Sequence, residues 1–189
     1  MPGLIVESRH DARGIANAIL DQADLAQLPI TNMAINKIIY FAHAWFLIRL
    51  TRPLVIQSFE AWQHGPLIQD VYHSFKKFGD KPILGRATRL DRHTAQYTMC
   101  ESRLDGDELT LLSHAVKRYA PISAAELRRM THVVGGPWHK VWNYEGASNP
   151  GMVIPDEAIG EFYRERSLSG EVDAYSQGTQ SSAFRALRQ

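Results

Sequence analysis

A mainly α-helical fold with a small antiparallel β element, forming a single compact domain around a central apolar helix at about 31–50, is what the sequence predicts. Three observations carry this expectation. Residues 31–50, TNMAINKIIYFAHAWFLIRL, are apolar over most of a helical circumference, which marks a helix packed by neighbours on several sides. Apolar residues recur at helical spacing in several further segments, each bounded by cap or breaker residues. Strand-like alternation is confined to two short stretches, 54–62 and 93–102.

Taken in order, residues 11–27 set Ile15, Ile19 and Leu25 at helical spacing, with Asp11 as N-cap and Pro29 just beyond the end. Thr31 caps the central helix, whose apolar cover comes from residues such as Ile35, Ile38, Ile39, Phe41, Trp45 and Phe46; Pro53 breaks it. Residues 54–62 then run extended, Phe59 and Ala61 on one face, Glu60 and Trp62 on the other. Gly65-Pro66 is expected to open a helix, because proline suits a first helical turn. That helix carries Val71, Tyr72 and Phe75 and stops at Gly79. Residues 80–92 read as a loop, and 93–102 as a strand pairing with 54–62. A helix at 107–120 follows the Asp105-Gly106 turn, uses Leu109, Leu112, Val116 and Tyr119, and ends at Pro121. Ser123 and Glu126 read as a capping box for a short helix. Pro137 opens another after the Gly135-Gly136 turn, and 155–166 adds a last one with Ile159, Phe162 and Tyr163 inward. The expected domain spans 1–166, and 167–189, polar and rich in Ser, Gly and Gln, reads as a disordered C-terminal tail.

The 189 residues fit one domain, and 44% hydrophobic with 22% charged is ordinary for a globular protein. A formal net charge of +1 gives no general pull toward phosphate backbones. Local arginines (Arg86, Arg89, Arg92 and the pair Arg128-Arg129) read as solvated faces, no helix-turn-helix is evident, and nucleic acid is not an expected partner. A single cysteine, Cys100, excludes an internal disulfide and reads as a small buried apolar residue. The N-terminus lacks a signal-peptide pattern, and the apolar run at 38–50 is too short for a membrane span. A cytoplasmic protein without membrane contact is expected.

Three segments follow one another in a recognisable order. INKIIYFAHAW (35–45) contributes Lys37, Tyr40 and Trp45. EAWQHGPLIQDVYHSFKKFG (60–79) contributes Glu60, Trp62, Gly65, Pro66 and Tyr72. ELRRMTHVVGGPWHKVW (126–142) contributes Thr131, His132, Pro137 and Trp138. Together they resemble the Panacea antitoxin domain family, described as SocA-like or phage-associated GepA-like, and the resemblance spans about residues 14–165. It departs at His64, Gly136 and His139, where the family more often has an aromatic, a small polar residue and a tyrosine. It implies a mostly helical fold and a non-enzymatic role: an antitoxin that neutralises a co-encoded protein toxin by direct binding. In one branch the antitoxin is an adaptor that delivers its toxin to the ClpXP protease.

No constellation for catalysis stands out. There is no Gly-x-Ser-x-Gly elbow and no glycine-rich phosphate loop. Eight histidines are present, but none forms a helical His-x-x-x-His pair, so no metal and no cofactor is expected. Lys37, Tyr40 and His43 recur every three residues on the central helix and share a face. They read mainly as a buried structural network, with Glu60 as the natural partner of Lys37 and Lys37→Met expected to lower the melting temperature. The expected toxin-contact surface is the exposed side of the 65–79 helix (His64, Gln69, His73, Lys76) with His132 and His139. Trp138 is expected to pack against the Gly65-Pro66 turn.

Overall fold

The computed structural model describes residues 10–168; the expected disordered tail lies outside the described residues, apart from its first two positions. Seven α-helices and five short strands alternate along this span. Helix α1 (Ala12–Leu25) is capped by Asp11, whose side chain accepts from the Arg13 amide. Helix α2 (Asn32–Arg49) is capped by Thr31 through the Ala34 amide. Thirteen of the 18 residues of α2 are buried, which makes it the spine of the molecule. Strands β1 (Phe59–Trp62) and β2 (Gly65–Leu67), then α3 (Gln69–Phe75), follow. A projecting hairpin, β3 (Thr88–Asp91) and β4 (Gln96–Met99), precedes α4 (Gly106–Tyr119) and α5 (Ala124–Thr131). The described span closes with α6 (Pro137–Trp142), β5 (Met152–Ile154) and α7 (Asp156–Leu168).

Helices α1, α4, α5 and α7 pack round α2, with β2 and α3 against its N-terminal half. Tyr40 is wedged among Phe41, Phe59 and Tyr163, with ring centroids 5.2–6.0 Å apart in edge-on geometry. Phe41 stacks on Tyr119 at 4.6 Å. Such pairs add to the area they bury. Burial pushes the Tyr40 and Tyr163 hydroxyls well above the ordinary tyrosine range, so both stay neutral.

Two buried polar links tie distant segments together. His43 is fully buried, and its Nε2 lies 3.0 Å from Asp156 Oδ1, which anchors the first turn of α7 on α2. Glu108 is 1% exposed and closes a capping box with Asp105. It also meets His10 Nε2 at 3.2 Å and Arg52 Nη2 at 3.1 Å. A buried carboxylate held this way is tolerated because each oxygen is engaged.

Four sequence expectations are corrected. Gly65-Pro66 does not open a helix; Gly65 (φ 97°) starts β2, which turns back on β1 with Trp62 opposite Gly65 and Ala61 opposite Pro66. Pro66 has no amide to donate, and β2 is an edge strand in the order β2-β1-β5, where that loss is tolerated. The helix therefore begins at Gln69 and gives way to a 3-10 turn, Lys76–Phe78, before Gly79. Next, β4 pairs with β3 inside the expected 80–92 loop, not with 54–62, because a local hairpin closes at less entropic cost than a distant pairing. The third strand beside β1 is β5, pairing Phe59 with Ile154 and Ala61 with Met152. Lastly, the full capping box belongs to Asp105 and Glu108; Ser123 accepts from Glu126, whose own carboxylate turns to Arg129.

Candidate functional site

The β1–β2 hairpin is held from three sides, and this fixes the surface beside it. From below, Lys37 Nζ donates to the Pro66 carbonyl at 2.8 Å. From α6, Trp138 Nε1 donates to the Trp62 carbonyl at 2.9 Å. From the end of α5, His132 sits with its ring 3.8 Å from that of Trp138 and its Nε2 3.4 Å from the Gln63 carbonyl. Its Nδ1–H donates to the Arg128 carbonyl at 2.6 Å, and burial holds its imidazolium below the ordinary histidine value.

Gly65 is the point where these supports meet. A Cβ there would lie 2.6 Å from Thr131 Oγ1, 2.9 Å from Lys37 Cε and 3.1 Å from His132 Cε1. Thr131 cannot swing freely, because its hydroxyl donates to the Arg128 carbonyl at 2.8 Å.

Lys37 is 2% exposed, and its described acceptor is a carbonyl, not the expected Glu60. Glu60 instead accepts from Trp62 Nε1 and from Gln69 Nε2, each at 2.9 Å, bracing the hairpin against α3. Burial first, and the Arg128 guanidinium second, push the Lys37 ammonium down to about 7. Above about 7, and below the ordinary 10.5, the unfolded chain holds a proton that the folded chain has lost. The Lys37 contribution to stability therefore rises with pH across that window. Lys37→Met removes the desolvation penalty, about 1.4 kcal/mol per pKa unit, and also leaves the Pro66 carbonyl without its donor, a loss of about 1–3 kcal/mol. The Met variant should melt above the wild type at acid pH and below it at alkaline pH. Parallel melting curves at every pH would overturn this account of Lys37.

On the outer side of the hairpin a groove of about 310 Å³ opens between the start of α2, the hairpin tip and α3. Trp62, His64, Tyr72 and Lys76 form its walls, and Lys37 lies at its base. The Trp62 and Tyr72 rings are 6.1 Å apart, and Tyr72 is 36% exposed. His64 and Lys76 are exposed on the rim, where the Lys76 ammonium is opposed by Asp80.

The other expected contact residues fall elsewhere. Gln69 is exposed but engaged by Glu60. His73 is exposed beside the Tyr72 ring, outside the groove lining. His132 is half-buried under the hairpin, and His139 Nδ1 accepts from the Gly135 amide at 3.4 Å. Of the other family-motif residues, Tyr40 sits in the aromatic core, and Trp45 lies beside Tyr119 at 5.6 Å. Pro137 occupies the first turn of α6.

Sequence reasoning did not single out Asn32 and Asn36. Asn36 Oδ1 accepts from the Ile68 amide at 3.1 Å, while Asn32 Nδ2 donates to the Tyr72 carbonyl at 3.0 Å. Asn36 Nδ2 also donates to the Asn32 carbonyl at 3.0 Å. The two side chains clamp α3 onto α2 and so set the groove's width. Their signal in the sequence was two amides one helical turn apart on an otherwise apolar helix. Among the described residues no group of His, Cys, Asp and Glu could hold a metal ion, and no helix is long and apolar enough to cross a membrane.

The family model for the SocA-like antitoxin, Panacea domain, matches residues 35–139. Antitoxin SocA of Caulobacter vibrioides (strain NA1000 / CB15N) is 35% identical to the chain over 163 residues, covering 86% of the chain and 87% of that protein. No solved structure matches.

Proposed function

The chain belongs to the SocA-like antitoxin family with a Panacea domain, and from that premise we propose that it neutralises a co-encoded protein toxin by binding it directly, without catalysis, in the cytoplasm. The observation that carries the reading is the groove beside the braced hairpin. It presents two aromatic side chains, Trp62 and Tyr72, beside the exposed imidazole of His64 and the cationic Lys76. Aromatic anchors on a rigid support are the side chains that dominate protein–protein binding, since they bury much area and lose few rotors. The toxin contact is therefore centred on the groove, with His73 at its margin. His132 acts behind the hairpin, by holding it in place, while His139 is turned to the Gly135 amide away from the groove. Co-expression with the product of the neighbouring open reading frame tests this: growth that is arrested by that product alone should be restored by this chain.

A second reading, delivery of the toxin to the ClpXP protease, is favoured by the polar composition of residues 169–189, which suits a tether. Under that reading, deleting 169–189 leaves toxin binding intact and stops toxin turnover in cells. Full rescue by the shortened chain, with toxin levels unchanged from the wild type, excludes it.

A further inference from the structure

We propose that the β3–β4 hairpin is a self-association element: the open β3 edge pairs antiparallel with the β3 edge of a second copy of this chain, Leu90 meeting Leu90 at the two-fold axis. The β3–β4 hairpin contributes no residue to the groove beside β1–β2. Thr88, Arg89, Leu90 and every residue of β4 are exposed. Residues directly opposite each other share a face, so Leu90, Tyr97 and Met99 lie together on one side, 51%, 75% and 54% exposed. Among the described residues β3 and β4 pair only with each other. A two-stranded ribbon with an uncovered apolar face is marginal in water, and its unpaired edge is a template for a further strand.

The root of the ribbon is fixed, which presents that edge in one orientation. The buried Asn17 amide is built into the ladder where the ribbon leaves the domain. Asn17 Nδ2 donates to the Ala87 carbonyl at 3.0 Å and the Cys100 carbonyl at 2.8 Å, and its Oδ1 accepts from the Ala87 amide at 2.7 Å. The Cys100 amide donates to the Ala87 carbonyl at 3.0 Å. Alternation from that pair turns the N–H and C=O groups of Thr88 and Leu90 away from β4, toward the open edge.

Read in reverse, the sequence of that edge complements itself. With Leu90 opposite Leu90 of a second copy, Arg89 stands opposite the second copy's Asp91, and Asp91 opposite its Arg89. Two pairs of opposite charge then flank an apolar contact, and the two apolar faces join into one. Asp91 Oδ1 accepts from the His93 amide at 2.8 Å, which holds the carboxylate at the end of the strand. Strand β4 carries no charge, so nothing selects a register along its edge. One charge of each sign, in mirror order about Leu90, favours a second copy over a partner of one sign. The interface is short, so association belongs near about 100 µM, far from the nanomolar range of large interfaces.

Sedimentation velocity on the full-length chain tests this. The wild type should be monomeric at about 1 µM and largely dimeric at about 500 µM. Arg89→Glu places like charges at both flanking positions, and Asp91→Lys does the same with the opposite sign. Each variant alone should associate at least about tenfold more weakly than the wild type. Mixed in equal amounts, the two should regain the wild-type dimer, because every cross-strand pair between the two different variants joins opposite charges. Damage to the fold does not produce that recovery. A wild type that stays monomeric at about 500 µM, single variants that dimerise as it does, or a mixture that stays monomeric would each overturn the proposal. So would protection of the Leu90 amide from hydrogen exchange that appears only with the product of the neighbouring open reading frame, which would give this edge to that protein.

Discussion

Changing Tyr72 to Ala and Lys76 to Glu in one chain should abolish rescue from the toxin while leaving the domain folded. Both side chains line the hairpin-side groove and both are exposed, Tyr72 by 36%. Neither contributes to the core, so circular dichroism and melting temperature should stay within a few degrees of the wild type. The effect on binding is expected to be large for two separate reasons. Tyr72→Ala deletes one half of the Trp62–Tyr72 aromatic pair, a central anchor of the kind whose loss costs about 2 kcal/mol or more. Lys76→Glu reverses a rim charge, which slows association and places a like charge before any acidic partner surface. Together they should weaken toxin binding by about a hundredfold or more. Lys117→Glu on α4, exposed and outside the groove, should rescue like the wild type. Undiminished rescue by the double variant would remove the groove from the contact surface.

The largest effect on stability is expected at Gly65. Gly65→Ala meets two penalties at once: a backbone with φ 97°, which L side chains rarely adopt, and a Cβ inside contact distance of Thr131, Lys37 and His132. Those neighbours are pinned by their own hydrogen bonds, so the clash is relieved only by lifting the hairpin from α5. The combined cost is about 3 kcal/mol or more, and the melting temperature should drop by roughly 10 °C. Gly79 is the control. It also has positive φ, 55°, but nothing lies within 4 Å of a Cβ there. Gly79→Ala should therefore show the backbone strain alone, about 1–2 kcal/mol. Equal losses at the two glycines would mean that the packing round Gly65 does not matter.

The helical frame was legible because its signals are local. Asp11 and Thr31 cap through amides two and three residues away, and the apolar circumference of α2 requires burial on every side. The resemblance in three ordered motifs pointed to the family in the same way. What stayed hidden depends on pairings between distant segments. Pro66 fits the first turn of a helix and an edge strand equally well, and only the presence of β1 decides between them. Strand β5 is three residues long, too short for alternation to register. Glu60 and Lys37 have opposite charges and a plausible separation, yet a carbonyl 29 residues away takes the lysine. The candidate site was half legible: His64 and Lys76 share one groove with Tyr72, while His132 faces inward because Trp138 and the hairpin enclose it.

The most direct measurement is a titration of the purified chain with the purified product of the neighbouring open reading frame, in the absence of protease and ATP. The account predicts a stable complex, loss of the toxin's activity in the same tube, and loss of both with the Tyr72→Ala, Lys76→Glu chain. A toxin that stays active beside a saturating amount of this protein, or that never associates with it, would contradict it.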